Sequence, residues 1–129
     1  MILFGTKEIK VYVERLLRQR ADDLKGRVVI DVPAGSGHSS RILQELGAQV
    51  WPLDLFPEFF KVPGLKCEKA DLAAVLPVAD RSADWILFQE GIEHLPDQLQ
   101  PLREMNRALK TGGTLIVTTP NYSNLRARL

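Results

Sequence analysis

A chain of 129 residues that is 45% hydrophobic can bury one ordinary core, so its length points to a single domain spanning residues 1–129. A net charge of +1, from 17 basic and 16 acidic side chains interleaved along the chain, excludes the basic footprint of a nucleic-acid binder. No apolar run approaches the roughly 20 residues that cross a bilayer, the opening residues are too short for a secretory signal, and the lone Cys67 excludes an internal disulfide or cysteine-rich zinc site. The expected compartment is therefore the cytoplasm, with Cys67 as a small packing residue.

Ile9, Tyr12, Val13, Leu16 and Leu17 recur at helical spacing and predict an amphipathic helix ending near Gly26. Residues 27–32 read as a buried strand, and residues 39–46 as a helix with Ile42, Leu43 and Leu46 on one face and Gly47 just past its end. A second strand over 48–53 ends at Asp54, and a short helical turn over 57–61 stops at Pro63 and Gly64. A brief third strand lies at 65–68, a loop at 71–82, a fourth strand at 85–88 and a turn of helix at 91–95. Asp97 is placed to cap a helix whose face is Leu99, Leu102, Met105 and Leu109. Lys110-Thr111-Gly112-Gly113 stops that helix before a fifth strand at 114–119, and residues 121–129 begin another helix.

Strands that are apolar almost throughout and alternate with helices imply an α/β fold, a doubly wound parallel sheet of about five strands covered on both faces. Ligands of such sheets bind beyond the carboxyl ends of the strands, where the strand order reverses. Asp31, Asp54, Asp71 and Gln89 fall at four successive strand ends. A strand end closes equally well with glycine, asparagine or serine, so the repetition points to a site.

The segment 31–37 leaves a strand in an acid and turns through Gly35 and Gly37 into a helix. Glycine lets the main chain approach a ligand closely, and free N–H groups at a helix start favour negative charge. Gly35-x-Gly37-x-x-Ser40 is a degraded dinucleotide fingerprint with Asp54 at the spacing of a ribose-binding acid, which admits a nicotinamide oxidoreductase. Asp31 ahead of the glycines, a serine in place of the third glycine, and the further acid Asp71 point to a different nucleoside.

Taken together, Val29-Ile30-Asp31-Val32-Pro33-Ala34-Gly35-Ser36-Gly37, Leu53-Asp54-Leu55 and Ala70-Asp71-Leu72 with Leu76-Pro77-Val78-Ala79-Asp80 resemble successive motifs of the class I S-adenosylmethionine-dependent methyltransferases. Gln89-Glu90-Gly91-Ile92-Glu93-His94-Leu95-Pro96, Leu109-Lys110-Thr111-Gly112-Gly113 and Thr119-Pro120-Asn121 resemble its small-molecule and glycan-associated branch, so the likeness runs from Val28 to Asn124. The resemblance implies a Rossmann-like methyltransferase core, S-adenosylmethionine as cofactor, and a small molecule or sugar as methyl acceptor at oxygen. It assigns Asp54 to the ribose hydroxyls and Asp71 to the adenine amine. The expected cofactor-binding set is Asp31, Pro33, Ala34, Gly35, Gly37, Asp54, Leu55, Asp71, Leu72 and Gln89.

Residue chemistry runs parallel to the likeness. A carboxylate accepting from two vicinal hydroxyls suits Asp54, the alternative being a turn acid, and Asp71 suits an exocyclic amine or solvent. Leu55, Phe56 and Leu72 either sandwich a base or belong to the core. Pro33 stands where the family usually has glycine; it has no N–H and cannot take a positive φ, so Gly35 and Gly37 are expected to carry the close approach. His94 is the candidate catalytic base, because imidazole titrates near neutral pH, or else a histidine that fixes the turn.

Glu90, Glu93 and His94 share one face if their turn is helical, an arrangement similar to the divalent-metal segment of ubiquinone-pathway O-methyltransferases and small-RNA 3′-end methyltransferases. Two carboxylates are few oxygen ligands for magnesium, and no metal is assigned. The last two strands usual in the family are missing, leaving the fifth strand as an apolar edge. Two expectations follow: a fragment of a longer protein, or a homodimer paired at that edge or exchanging C-terminal segments. A non-catalytic nucleoside-binding module is the second reading of the chain.

Overall fold

The computed structural model describes residues 6–120. In chain order these form α1 (Thr6–Gln19), α2 (Ala21–Leu24), β1 (Val28–Val32), α3 (His38–Glu45), β2 (Gln49–Asp54), β3 (Glu68–Lys69), β4 (Ala83–Gln89), α4 (Leu99–Ala108) and β5 (Leu109–Thr118), with 3-10 turns at Pro57–Phe59 and Ile92–His94. All strand pairs are parallel and the order is β3-β2-β1-β4-β5, so the sheet is doubly wound and its direction of growth reverses between β1 and β4.

Alternation along the strands divides the core in two. Ile30 and Val32 of β1, with Ile86 and Phe88 of β4, pack with Met105 and Ala108 of α4. Val29, Trp85 and Leu87 face the other way, against Val13 and Leu17 of α1, Leu24 of α2, and Ile42 and Leu43 of α3. Each fully buried branched side chain contributes about 1.5–3 kcal/mol, and helices on both faces are what make the near-continuous apolar strands stable. Among the described residues no helix is long and apolar enough to cross a membrane.

Several expected details change. The first helix ends at Gln19 and a separate short helix reaches Leu24, with Gly26 (φ 74°) turning the chain into β1. Tyr12 and Leu99, expected on buried faces, are 62% and 59% exposed. Helical spacing marks a stripe, but the sheet covers only its centre. Asp97 does cap α4: its Oδ1 accepts the Leu99 and Gln100 N–H groups at 2.9 and 3.3 Å. β5 begins at Leu109, opposite Ala83, and resumes pairing at Thr114 opposite Trp85, so Lys110 to Gly113 bulge out of a continuous strand instead of preceding it. The expected helix at 121–129 lies outside the described residues.

Candidate functional site

The carboxyl ends of β1 and β4 meet the loop 33–37 at the point of reversal. The Val32–Pro33 peptide bond is cis, and the Ala34 N–H donates to the Leu53 carbonyl at 2.9 Å, tying the loop to the end of β2. Gly35 and Gly37 both adopt positive φ, 57° and 99°. Their surroundings differ. A Cβ on Gly35 would meet no atom within 4 Å, whereas one on Gly37 would collide with Val62 and Phe60. Gly35 faces open space, and Gly37 is required by the packing of the 60–62 segment over the start of α3.

Asp54, at the end of β2, is buried. Its Oδ2 accepts the Gly35 N–H and its Oδ1 the Phe56 N–H, both at 2.8 Å. A carboxylate offers about four acceptor positions, so one on each oxygen remains after the backbone is satisfied. Two remaining acceptors on one rigid group match two adjacent hydroxyl donors.

Asp31 points to the α1 and α3 side of the sheet, 2% exposed, and accepts the Ser40 hydroxyl at 2.7 Å. Burial raises its pKa from 3.8 to about 7, the Ser40 hydrogen bonds oppose the rise, and the Asp54 charge adds to it. The folded chain therefore holds a neutral carboxyl where the unfolded chain is ionised. Stability from this group is full below its ordinary value and is lost as pH rises through about 7. Between pH 5 and 8 the chain is expected to lose on the order of 2 kcal/mol that Asp31→Asn does not lose, read from urea midpoints at both pH values. Parallel profiles for the two proteins would contradict this.

A cavity of about 170 Å³ opens beside these groups, lined by Lys10, Asp31, Pro33, Ala34, Gly35, Ser36, His38, Ser39, Gln89 and Glu90. Five expected residues, Asp31, Pro33, Ala34, Gly35 and Gln89, thus come together from β1 and β4, and the Ser39 hydroxyl donates to Gln89 Oε1 at 3.0 Å. Lys10 and His38 were not read as site residues, because only the packing of α1 brings Lys10 to the strand ends. In the sequence Glu90 stands out only as a member of the Glu90, Glu93 and His94 face, to which no metal is assigned. It sits at φ 55°, its Oε1 is buried without a hydrogen-bond partner, and burial and Glu93 raise its pKa while Lys10 lowers it.

The other expected residues lie outside this cavity. Asp71 is exposed, and its Oδ1 accepts the Ala73 N–H at 2.9 Å. Leu72 is partly buried against the α4-side core, whereas Leu55 and Phe56, 42% and 53% exposed, are not core residues. His94 closes the 3-10 turn with its side chain 77% exposed and its Nε2 3.5 Å from Glu93 Oε1. The helical condition for a metal chelate fails: the turn spans only Ile92–His94, Glu90 precedes it in the left-handed region, and Glu93 Oε2 accepts the Thr119 hydroxyl at 3.3 Å. Among the described residues no three His, Cys, Asp or Glu side chains group as metal ligands. Cys67 is a free thiol that burial and the Asp54 and Asp31 charges push up to about 11, which disfavours the thiolate at neutral pH.

Comparison with known proteins agrees with this architecture. Residues 30–117 match the family model described as "Methyltransferase domain". The chain is 38% identical over 110 residues to a ubiquinone biosynthesis O-methyltransferase of Xanthomonas campestris pv. campestris, covering 76% of this chain and 45% of that protein. It is 34% identical over 113 residues to a demethylmenaquinone methyltransferase of Listeria welshimeri, covering 78% of this chain and 48% of that one. Among solved structures, a SAM-dependent methyltransferase from Archaeoglobus fulgidus superposes with a TM-score of 0.73 at 23% identity, over 91% of this chain and 56% of that chain. An S-adenosylmethionine-dependent methyltransferase from Mesorhizobium loti gives 0.70 at 26% identity, over 81% and 52%. The chain spans about half the length of the curated relatives it matches. The parallel sheet with its β1–β4 reversal, and the family match over 30–117, together show that this chain belongs to the methyltransferase domain family.

Proposed function

We propose that the chain binds S-adenosylmethionine and serves an O-methyltransferase acting on a small molecule or a sugar in the cytoplasm. The observation that carries the reading is Asp54: a buried carboxylate fixed by two backbone N–H groups, with one acceptor position left on each oxygen, beside the open face of Gly35. In this reading Asp54 holds the ribose hydroxyls and Asp71 the adenine amine, with Leu55 and Leu72 against the base. Asp31, Pro33, Ala34, Gly35 and Gln89 line the cavity for the remainder of the ligand, and Gly37 holds α3 under that loop. Lys10 and Glu90, whose Oε1 is buried without a hydrogen-bond partner, also line it, a cation and an anion suited to an amino-acid end that carries both charges. The names of the Xanthomonas and Listeria relatives favour a small-molecule acceptor.

When bound, S-adenosylmethionine supplies a methyl group already activated by the positive charge on its sulfur. The protein's part is then alignment, exclusion of water, and removal of a proton from the acceptor oxygen. His94 is the base in this reading, its Nε2 3.5 Å from Glu93 Oε1 and its side chain open to an incoming acceptor.

Equilibrium titration tests the binding step: saturable binding of S-adenosylhomocysteine with none of NADH is expected, and the reverse would restore the oxidoreductase reading. Single-turnover methyl transfer to phenolic and sugar hydroxyls separates an enzyme from a module that only binds. His94→Ala is expected to slow that transfer by about 100-fold or more while leaving S-adenosylhomocysteine affinity unchanged. An unchanged rate would return His94 to a turn residue.

A further inference from the structure

We propose that Arg107 is a positioning residue for nucleobase recognition, fastening to α4 the loop that presents Asp71. The inference rests on the assignment of Asp71 to the adenine amine made above. Residues 71–82 run from β3 to β4 without a helix. Within that loop the hydrogen bonds are local: Asp71 closes its own turn through the N–H groups of Ala73 and Ala74, Val78 N–H reaches the Leu76 carbonyl, and the Ser82 hydroxyl reaches the Ala79 carbonyl. Among the described residues, every hydrogen bond that leaves the loop ends on Glu104, Arg107 or Ala108.

Arg107 makes most of these. Its Nη1 donates to the Val78 carbonyl and to Asp80 Oδ1, both at 2.8 Å, and its Nη2 to the Leu76 carbonyl at 3.2 Å. The same guanidinium grips Glu104 through Nε and Nη2, each at 2.9 Å. Glu104, 9% exposed, turns its Oε1 to the Leu76 N–H at 2.8 Å, so both main-chain groups of Leu76 are held by one ion pair. The main chain completes the seam, with Arg81 N–H on the Arg107 carbonyl at 2.9 Å and Ser82 N–H on the Ala108 carbonyl at 2.8 Å.

A planar fork with five donors can hold two carbonyls and two carboxylates together, and an ammonium group cannot reproduce that geometry. Leu76 and Val78 are buried in the α4-side core, so the loop is anchored by apolar contact at the points where Arg107 binds its carbonyls. The Asp71 turn lies just before this anchored stretch, with Leu72 packed on the same core. The loop has no helix of its own to fix the direction of the Asp71 carboxylate, and the Arg107 seam takes that part.

The test compares two ligands on the full chain: S-adenosylhomocysteine and its 6-deamino analogue, in which hydrogen replaces the adenine amine. The unaltered chain is expected to prefer the amine-bearing ligand by roughly tenfold or more. In Arg107→Met, and in Arg107→Lys, which keeps the charge and stem if the first variant fails to fold, that preference is expected to collapse. Affinity for S-adenosylhomocysteine should fall about tenfold while that for the analogue changes less than about twofold. Equal weakening of both ligands, or an unchanged preference in a folded variant, would overturn the positioning role. An unaltered chain that binds S-adenosylhomocysteine and its analogue equally well removes Asp71 from amine recognition and the inference with it. Failure to bind either ligand would instead remove the donor-binding reading on which both depend.

Discussion

Asp54→Ala is expected to weaken S-adenosylhomocysteine binding by about 100-fold, because hydrogen bonds to a buried charge contribute about 1.5–3 kcal/mol and two ribose donors lose their acceptor together. The substitution also strands the Gly35 and Phe56 N–H groups, which now close on the carboxylate at 2.8 Å. Loop displacement is therefore a second source of loss. A ligand lacking the 2′-hydroxyl separates the two causes. If the carboxylate receives the ribose, the deoxy ligand binds the unaltered chain more weakly by roughly tenfold, and Asp54→Ala costs it correspondingly less. Equal losses for both ligands, measured by titration calorimetry, would reduce Asp54 to a turn acid.

Gly37→Ala is expected to cost roughly 3 kcal/mol of folding stability, combining a left-handed φ of 99° with a methyl group driven into Val62 and Phe60. Gly35→Ala, at φ 57° with open space before it, carries only the backbone penalty of about 1–2 kcal/mol, and its methyl group enters the ligand side instead. The two motif glycines should therefore separate by assay: Gly37→Ala shifts the urea midpoint, and Gly35→Ala chiefly lowers S-adenosylhomocysteine affinity. A well-folded Gly37→Ala of normal stability would show that the 60–62 segment yields, and would return that glycine to the ligand.

That contrast shows where the sequence was readable. Glycines separated by one residue after a strand acid announce a close approach; positive φ exists at both, but only Gly37 has a neighbouring segment packed against it. What each glycine makes room for depends on the segment at 60–62, which the sequence places only as the end of a short turn. Asp31 and Asp54 were likewise legible as strand-end acids. Their different states, one neutral to about pH 7 against Ser40 and one held by two backbone donors, follow from the partners each meets at its strand end, although both enter the same face of the sheet. The helical premise for Glu90, Glu93 and His94 failed because a three-residue 3-10 turn and a left-handed Glu90 replaced the helix, and their spacing contained no sign of that.

Lys10 and Arg107 mark the outer limit of such reading. Each is one of two or more basic residues on an amphipathic helix, where a solvated charge is the ordinary expectation. One reaches the cavity at the strand ends because α1 packs against α3 and Val29 of β1, and the other holds a loop because α4 lies beside residues 76–80.

By itself the sequence determined the order of elements, the parallel doubly wound sheet, the reversal that creates a crevice, and the acids at its rim. Hydrophobic periodicity and turn chemistry are local and survive in a one-dimensional pattern. Only the tertiary structure decided that Gly37 serves packing, that Asp54 keeps one free acceptor on each oxygen, and that the loop bearing Asp71 is fastened by Arg107. Those outcomes depend on contacts between segments far apart in the chain, whose distances and directions are set when the two cores close on the sheet.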